Sequence, residues 1–440
     1  MDLLSVLTCR LEIVDDSVSS KDLVDRIVAR GPREEPLHLV ELDTVVKRHY
    51  DWLRHLPRVH PFYAIKSNDD ETIVDTLLLL GCGFDCASKA ECNRILELGV
   101  NRERIIFAQP SKTIESLLYA KEKGLRTVFD SDYELRKIHQ YYPEAEVLIR
   151  YRFDSQQSIV NLGVKFGCDP GKEAGELLVL AKELGINVVG WAFHTGTGCS
   201  DPEIFYDAIK MGRRITDYAT SQGFSFKYID IGGGFHGKKD VGIQFYAVHI
   251  NRALDEFFPD DQRWTIIAEP GRYYCSAPVT SVIPVHGKRV FRSAENPTRI
   301  EKVFYYFNDG IYGTFYNAKY RNVPVEPIIW KKRSECGPVL STFFFGPTCD
   351  GNDVFASNIP LPELNISDYV VFENQGAYAK VNACRFNGFC FPKPVVFISK
   401  SGWKLLEAVT SAANPNPLVL ESKHLQRNSK LEKLVFETRS

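Results

Sequence analysis

The sequence of 440 residues has no apolar run that approaches the ~20 residues needed to cross a bilayer. It also lacks a charge bias, because 54 Lys and Arg residues oppose 56 Asp and Glu residues and leave a formal net charge of −2. This balance argues against binding to nucleic acid or to an anionic membrane surface. The first residues, Met1–Ser5, carry an early acid and no basic segment, unlike a secretory signal. We therefore expect a soluble cytoplasmic protein.

Metal-type cysteine pairs are missing as well. The 11 cysteines are scattered without a Cys-x-x-Cys motif, and Cys82 and Cys86 are the closest couple in a predicted loop and buried strand. In a chain of this size without an export signal, such cysteines are expected to be reduced core thiols. This pattern predicts no metal site and favours a cytosolic enzyme.

A Gly-x-Gly-x-x-Gly turn after a first strand is also missing, which argues against a dinucleotide-binding sheet. What the chain does contain is a series of short apolar runs, nearly all separated by helical patterns. The predicted strands are Phe62–Ile65, Gly83–Ala87, Arg104–Ala108, Arg126–Phe129, Glu146–Tyr151, Val188–His194, Tyr228–Ile231 and Thr265–Glu269. Eight such units in about 220 residues predict an α/β fold, a (β/α)8 TIM-like barrel.

The sequence pattern changes after about Ser276, where strand-like apolar runs interrupted by Pro and Gly replace the helical patterns. This part predicts a second, antiparallel β domain. We assign residues 37–276 to the barrel, with a first strand at Leu37–Leu42, and residues 1–36 and 277–412 to the β domain. Residues 413–440 are expected to form a flexible tail.

Lys66 ends the buried strand pattern of Pro61–Asn68. Such a lysine is either a solvated residue, which is the commoner case, or an amine held where chemistry occurs. The other strand ends favour the second interpretation, because barrel enzymes build their sites there. These ends carry Asp85, Arg150, His194, the glycine runs Gly196–Gly198 and Gly232–Gly234, and Glu269 with Arg272.

Glycine turns with bare backbone N–H groups, followed by an arginine, are typical of a phosphate site, although either turn alone is more often a tight connection. A phosphate site, a lysine amine, a histidine ring and a carboxylate together indicate pyridoxal 5′-phosphate. This cofactor needs an amine for covalent attachment and an acid on its pyridine nitrogen. We expect Lys66 and Glu269 to supply these two groups.

Nine segments between about residues 37 and 400 form a specific series. They are Pro61–Asn68, Gly83–Lys89, Val164–Gly167, Phe193–Cys199, Asp230–Phe235, Ile266–Tyr274, Asn308–Gly313, Gly346–Gly351 and Asn374–Tyr378. In these segments the chain resembles the eukaryotic ornithine decarboxylases, which belong to the barrel-type, alanine-racemase-like group of pyridoxal phosphate enzymes.

The resemblance implies a set of cofactor residues. They are Lys66, Asp85, Arg150, His194, Thr197, Gly234, Glu269, Arg272 and Tyr378. Lys66 would bond to the cofactor, His194 would stack on its ring and Glu269 would pair with its pyridine nitrogen. Thr197, Gly234, Arg272 and Tyr378 would hold the phosphate.

The resemblance also implies how a small amino-acid substrate is handled. Cys349 would come from the partner subunit and protonate the substrate carbon after carbon dioxide leaves. Asp350 would bind the distal ammonium of the substrate, and Tyr312 and Phe386 would line the pocket. Because the site is shared, the family acts as a homodimer.

Arg321 departs from the family pattern, which has an aspartate at this position as a second anion for the substrate ammonium. Two unit charges ~4 Å apart interact by ~4 kcal/mol at an effective dielectric of ~20, so the replacement changes the pocket. Arg321 could point outward, or Asn322 or Glu326 could take over.

Three functions remain open at this point. The chain is an ornithine-type decarboxylase, a paralogue that acts on a neutral, acidic or shorter amino acid, or a non-catalytic regulator similar to the antizyme inhibitors. The retained cofactor residues argue against the regulator. An antizyme-contacting segment would map to about Glu115–Arg136, which carries Lys121, Lys123 and Arg126 but also several acids.

Overall fold

The computed structural model describes residues 3–31, 33–259, 263–330 and 338–412. The chain divides into two compact units. The β-sheet unit comprises Met1–Val45, Asp70–Ile73 and Cys275–Glu407, and the barrel unit comprises Val46–Asp69, Val74–Tyr274 and the chain from Ala408. The predicted tail lies outside the described residues. None of the helices in the described ranges combines the length and the hydropathy that a membrane crossing requires.

Eight parallel strands close into the barrel, which confirms the predicted fold. In chain order they are β3 (Val59–Ala64), β4 (Gly83–Cys86), β5 (Ile105–Phe107), β6 (Arg126–Phe129), β7 (Glu146–Arg150), β9 (Asn187–Ala192), β11 (Tyr228–Asp230) and β12 (Thr265–Ala268). A small antiparallel ribbon joins β8 (Ser158–Val160) to β10 (Thr197–Cys199). The interior of the barrel is filled by apolar side chains, among them Phe62, Ile106, Leu148 and Ile267.

One helix precedes the first barrel strand and one follows each of the eight strands, and local signals set the ends of these helices. They are α3 (Leu42–His55), α4 (Glu71–Leu79), α5 (Lys89–Glu97), α6 (Ile114–Lys123), α7 (Asp132–Tyr141), α8 (Glu173–Glu183), α9 (Glu203–Ser221), α10 (Gln244–Phe257) and α11 (Arg272–Cys275). Ser88, Thr113 and Ser131 cap α5, α6 and α7 by accepting a backbone N–H in the first turn. Gly124 ends α6 in the left-handed conformation, with φ of 62°.

The β-sheet unit holds a mixed sheet of nine described strands. Its elements are α1 (Leu3–Thr8), β1 (Glu12–Val14), α2 (Ser20–Ala29), β2 (Leu37–Glu41), β13 (Val279–Arg292), β14 (Ile300–Phe307), α12 (Tyr316–Tyr320), β15 (Ile328–Trp330), β16 (Val339–Phe345), β17 (Val354–Pro362), β18 (Tyr369–Phe372), β19 (Lys393–Ser399) and α13 (Lys400–Ala412). Most pairs are antiparallel as predicted, but β1/β19, β2/β19 and β14/β16 are parallel.

The strand predicted at Leu37–Leu42 does not belong to the barrel. It forms β2, which lies between β13 and β19 in the mixed sheet. Its residues Leu37 and Leu39 pack in an apolar core with Val282 and Phe397. The barrel assignment from residue 37 was therefore wrong for this strand, because its hydrogen-bond partners are more than 200 residues away in the sequence.

A charged cluster closes the amino-terminal end of the barrel. Arg126, at the start of β6, donates to Glu146 at 2.8 Å, to Glu103 at 3.3 Å and to the Tyr228 hydroxyl at 2.6 Å. Its guanidinium carbon lies 3.7 Å from the centre of the Tyr228 ring, and its side chain is only 9% exposed. Because four strands or loops meet in this cluster, it supports the barrel at the end opposite the predicted site.

We expect Arg126→Met to lower the free energy of unfolding by roughly 1–3 kcal/mol, since it removes the nearly buried cation that Glu103, Glu146 and the Tyr228 hydroxyl share. Urea unfolding measures this loss. The exposed ion pair of Lys123 with Glu122 provides a control, and Lys123→Met should leave the free energy of unfolding nearly unchanged. Equal losses in both variants would contradict a special role for the cluster.

Candidate active site

Lys66 follows β3 in a short 3₁₀ turn, Ile65–Ser67, at the carboxyl end of the barrel. Its amine forms an ion pair with Asp85 on the neighbouring strand β4, where Ala64 and Asp85 are in register. The Asp85 side chain is fully buried, and its Oδ1 atom has no hydrogen-bond partner among the described residues. A buried carboxylate thus holds the amine at the carboxyl end of the barrel. Its Oδ1 atom could accept one further hydrogen bond.

His194 follows β9 and presents a neutral ring. Burial, with the nearby charges of Arg150 and Lys66, holds the pKa of His194 well below its ordinary value. Its Nδ1 atom accepts the backbone N–H of Gly196 at 3.0 Å, which leaves the proton of the neutral ring on Nε2. A neutral, oriented aromatic ring of this kind suits stacking on a flat heteroaromatic group.

The glycine run Gly232–Gly234 adopts a conformation that other residues would not tolerate. Gly232 has φ of 61°, and a Cβ atom there would lie 1.9 Å from the Phe193 carbonyl oxygen. Gly234 has φ of 124°, and its carbonyl accepts the N–H of Cys199 at 2.7 Å, which ties this run to the segment after β9. The two glycine turns predicted to cradle a phosphate therefore lie side by side.

Thr197 and Arg272 belong to the same end of the barrel unit. Thr197 begins β10 and is 8% exposed, and Arg272 begins α11 and is 9% exposed. A hydroxyl, a guanidinium and bare backbone amides are the donor types that bind a phosphate group. This donor set fits the phosphate of pyridoxal 5′-phosphate.

Glu269 and Asp230 form a buried acidic pair at the ends of β12 and β11. Burial raises the pKa of Glu269, and so does Asp85, while Lys66 and Arg150 oppose the shift. Burial and Glu269 raise the pKa of Asp230 well above its ordinary value. The buried pair therefore favours holding a proton, while the nearby charges of Lys66 and Arg150 favour the ionised form of Glu269, which is the form that a cationic ring nitrogen would need.

Asp230 is a residue of the candidate site that the sequence analysis missed. It lay inside a quoted segment, but only the fold brings it next to Glu269, 39 positions later. Its Oδ1 atom accepts the N–H of Gly232 at 2.8 Å, so the same side chain also shapes the glycine turn. A signal could have been its position at the end of a strand, immediately before Ile231 and the glycine run.

Four residues predicted to handle the substrate, Tyr312, Cys349, Asp350 and Phe386, lie together within the β-sheet unit. The Tyr312 hydroxyl donates to Asp350 Oδ2 at 2.6 Å, and the Tyr312 and Phe386 rings stack with centres 4.6 Å apart. The Tyr312 and Asn352 hydrogen bonds hold the pKa of Asp350 below its ordinary value. Cys349 is exposed, and its N–H donates to the Asn387 side chain at 2.9 Å. The cluster combines an ionised acid, an aromatic wall and a thiol.

Asp353, a second residue missed from the sequence, organises this cluster. The side chain is 1% exposed and accepts the N–H of Ile311 at 2.9 Å and the hydroxyl of Thr348 at 2.7 Å. It thereby fixes the segment of Tyr312 against the segment of Cys349 and Asp350. The separation of 42 residues between Ile311 and Asp353 hides this connection in the sequence.

Arg321 and Tyr378 contact each other in the β-sheet unit. The Arg321 guanidinium carbon lies 4.9 Å from the centre of the Tyr378 ring, a cation–π distance. Among the described residues, no carboxylate lies within ion-pair distance of Arg321. Tyr378 adopts a positive φ of 55° and is held through its carbonyl by Asn317 and Asn382. Its predicted phosphate contact stays a prediction.

Comparison with known proteins identifies the family of the chain. Residues 42–276 match the model of the pyridoxal binding domain of pyridoxal-dependent decarboxylases. Ornithine decarboxylase of Rattus norvegicus is 39% identical over 415 residues, which cover 92% of this chain and 90% of that protein. Antizyme inhibitor 2 of Xenopus laevis is 37% identical over 406 residues, covering 90% and 89%.

Solved structures of decarboxylases are also similar to this chain. The arginine decarboxylase of Paramecium bursaria Chlorella virus, bound to agmatine, matches with a TM-score of 0.79 and 36% identity over 86% of this chain and 100% of that chain. The barrel residues described above fit a pyridoxal phosphate cofactor, and most of the chain matches decarboxylases that use it. The chain belongs to the ornithine decarboxylase family of pyridoxal-dependent amino-acid decarboxylases.

Proposed function

We propose that the chain removes the carboxyl group of a basic amino acid, L-ornithine, and releases putrescine for polyamine synthesis in the cytoplasm. The observation that carries this proposal is the pair of Tyr312 and Asp350. Asp350 is ionised and oriented by the 2.6 Å hydrogen bond, so it offers one anion for the distal ammonium of the substrate. The Phe386 ring covers the alkyl chain.

The bound cofactor supplies an electron-accepting ring, and the side chains of this protein do the rest. Lys66 would hold the cofactor through its amine, and the charge of Glu269 would favour the protonated form of the pyridine nitrogen. Cys349 delivers a proton to the substrate carbon after carbon dioxide leaves. The family resemblance supports a homodimer in which Cys349 and Asp350 complete the site of the other subunit.

Arg321 supports a second candidate function, the decarboxylation of a neutral or acidic amino acid. Its guanidinium is half-buried against Tyr378 rather than neutralised by a carboxylate of the described residues. A cation at this place would attract a carboxylate side chain and repel an ammonium. The two functions differ in which charge dominates the pocket, Asp350 or Arg321.

Arg321→Asp tests which charge governs the substrate. We expect kcat/KM for ornithine to rise by about tenfold or more, which corresponds to ~1.4 kcal/mol of improved binding in the transition state. Carbon dioxide release should be measured with ornithine, lysine, arginine, aspartate, glutamate and aromatic amino acids. Lys404→Asp, on the exposed face of α13, changes the net charge equally and serves as the control.

The panel separates the candidates. Release from ornithine by the unaltered protein supports the first function, whereas release only from an acidic or neutral amino acid supports the second. If no amino acid releases carbon dioxide and the protein lacks the visible absorbance of lysine-bound cofactor, both enzymatic functions fail.

A non-catalytic, antizyme-inhibitor-like function has less support. In the segment Glu115–Arg136, Lys121 pairs with Glu144 at 3.3 Å and Lys123 pairs with Glu122 at 2.8 Å. Arg126 is turned into the barrel cluster described above. These three cations are engaged within the chain, which weakens the basic surface that antizyme binding was expected to use. Co-elution with purified antizyme would test whether a complex forms.

A further inference from the structure

His236 lies two residues after Gly234 and borders both glycine turns. Its Nε2 atom is 3.1 Å from the Ser200 hydroxyl oxygen, so the ring bonds to the segment that follows Thr197. Its Cε1 atom lies 3.8 Å from the position that a Cβ on Gly198 would occupy. The imidazole therefore packs directly against the glycine turn that precedes Cys199.

The backbone of His236 is fixed as firmly as its ring. Its N–H donates to the Tyr246 hydroxyl at 3.0 Å, and this hydroxyl donates to the Cys199 carbonyl at 2.7 Å. The Gly237 and Lys238 carbonyls that follow accept hydrogen bonds from Arg48 of α3. The position of the imidazole beside the turns is thus set by the surrounding barrel unit and not by a free loop.

The charges around His236 are those of an anion site. Burial lowers the pKa of His236, and so do the nearby charges of Arg272 and Lys238, while Asp240 opposes the shift. Arg272 is a predicted phosphate ligand, and it lies close enough for its charge to act on the imidazole. The negative charge of a bound phosphate would raise the pKa of His236 and favour the protonated ring.

We propose that His236 is a positioning residue of the phosphate site, which holds the two glycine turns together through Ser200 and adds a positive charge beside Arg272 when it is protonated. The inference rests on the pyridoxal phosphate site described above. By linkage, a phosphate that favours protonation of His236 must itself bind more tightly to the protonated form. Neutral His236 keeps the turns in place but contributes no charge.

Binding of pyridoxamine 5′-phosphate tests this inference, because this compound carries the phosphate but cannot bond to Lys66. With the unaltered protein, the dissociation constant should rise by about fivefold or more between pH ~5 and pH ~8. His236→Gln should flatten this dependence, since glutamine keeps a hydrogen bond to Ser200 without a titrating charge. His249→Gln, a histidine of α10 paired with Glu203, should leave it unchanged.

Pyridoxamine, which lacks the phosphate, should bind equally to the unaltered protein and to the His236→Gln variant. The ³¹P resonance of the bound cofactor gives a second measurement: its pH titration curve should differ between the unaltered protein and His236→Gln, because the ionisation of the phosphate itself, with a pKa of about 6, is common to both. The same pH dependence of binding in His236→Gln and in the unaltered protein, or identical ³¹P titration curves of the two, would overturn the inference while leaving the cofactor site intact. Failure of the unaltered protein to bind any phosphate-bearing cofactor would overturn the site and this inference together.

Discussion

Lys66→Ala will abolish the visible absorbance of lysine-bound cofactor and lower carbon dioxide release by roughly 10²–10⁴-fold or more. The amine is the group that the barrel holds over its carboxyl end, on the same side as the glycine turns. No other lysine of the described residues pairs with Asp85, so no neighbouring amine replaces it. Absorbance spectra and single-turnover carbon dioxide release measure the two losses.

Lys89 provides the matched control for this variant. It is a lysine just after the next barrel strand, 46% exposed and paired with Glu115 on the surface. Lys89→Ala should retain the cofactor band and the turnover of the unaltered protein. A Lys66→Ala variant that keeps the band would show that another residue holds the cofactor.

Glu269→Gln will separate activity from stability. We expect decarboxylation to fall by roughly 10²–10³-fold, because glutamine cannot keep the pyridine nitrogen protonated. In the cofactor-free protein, the same change should raise the free energy of unfolding at pH 8 by roughly 1–3 kcal/mol, since it removes a buried charge beside Asp230 and Asp85. Enzyme assays and thermal unfolding measure the two effects.

The pH dependence of this effect has a definite sign. Burial, with the nearby charge of Asp85, raises the pKa of Glu269 from 4.5 to about 7 in the folded chain, so the native state binds a proton that the unfolded state has lost. The contribution of Glu269 to stability is therefore complete below about pH 4.5 and is lost as the pH rises through about 7. The Glu269→Gln variant should lose less stability than the unaltered protein between these two values. An identical pH slope in both proteins would contradict the assignment.

The barrel and its lysine could be predicted from the sequence because their signals are local. Each barrel strand carries its own apolar run, and Lys66, His194 and Glu269 come directly at or after a strand end. Since parallel strands place these ends on one edge, the chemistry of the strand ends predicted the site. Asp85 and Arg150 also lie at strand ends, and both are close enough to Glu269 for their charges to shift its pKa.

The remaining features depend on contacts between distant segments. Asp230 acquires its role only beside Glu269, and Asp353 only through its bond to Ile311. β2 has the same apolar pattern as a barrel strand, so periodicity could not tell that its partners are β13 and β19. The contact of Arg321 with Tyr378 likewise joins two loops 57 positions apart, and no local sequence pattern predicts it.

The strand order of the mixed sheet determines when, during synthesis of the chain, the sheet can be completed. β19 lies between β1 and β2 in the sheet. These two amino-terminal strands therefore cannot form their hydrogen bonds to β19 until nearly the whole chain has been synthesised. The barrel strands, which end at Ala268, can pair while the rest of the chain is still being synthesised. A chain cut short before Lys393 keeps Lys66 and the barrel strands but leaves two strand edges exposed, and such edges promote aggregation. The molecule thus acquires a finished sheet only when its synthesis has passed residue 399.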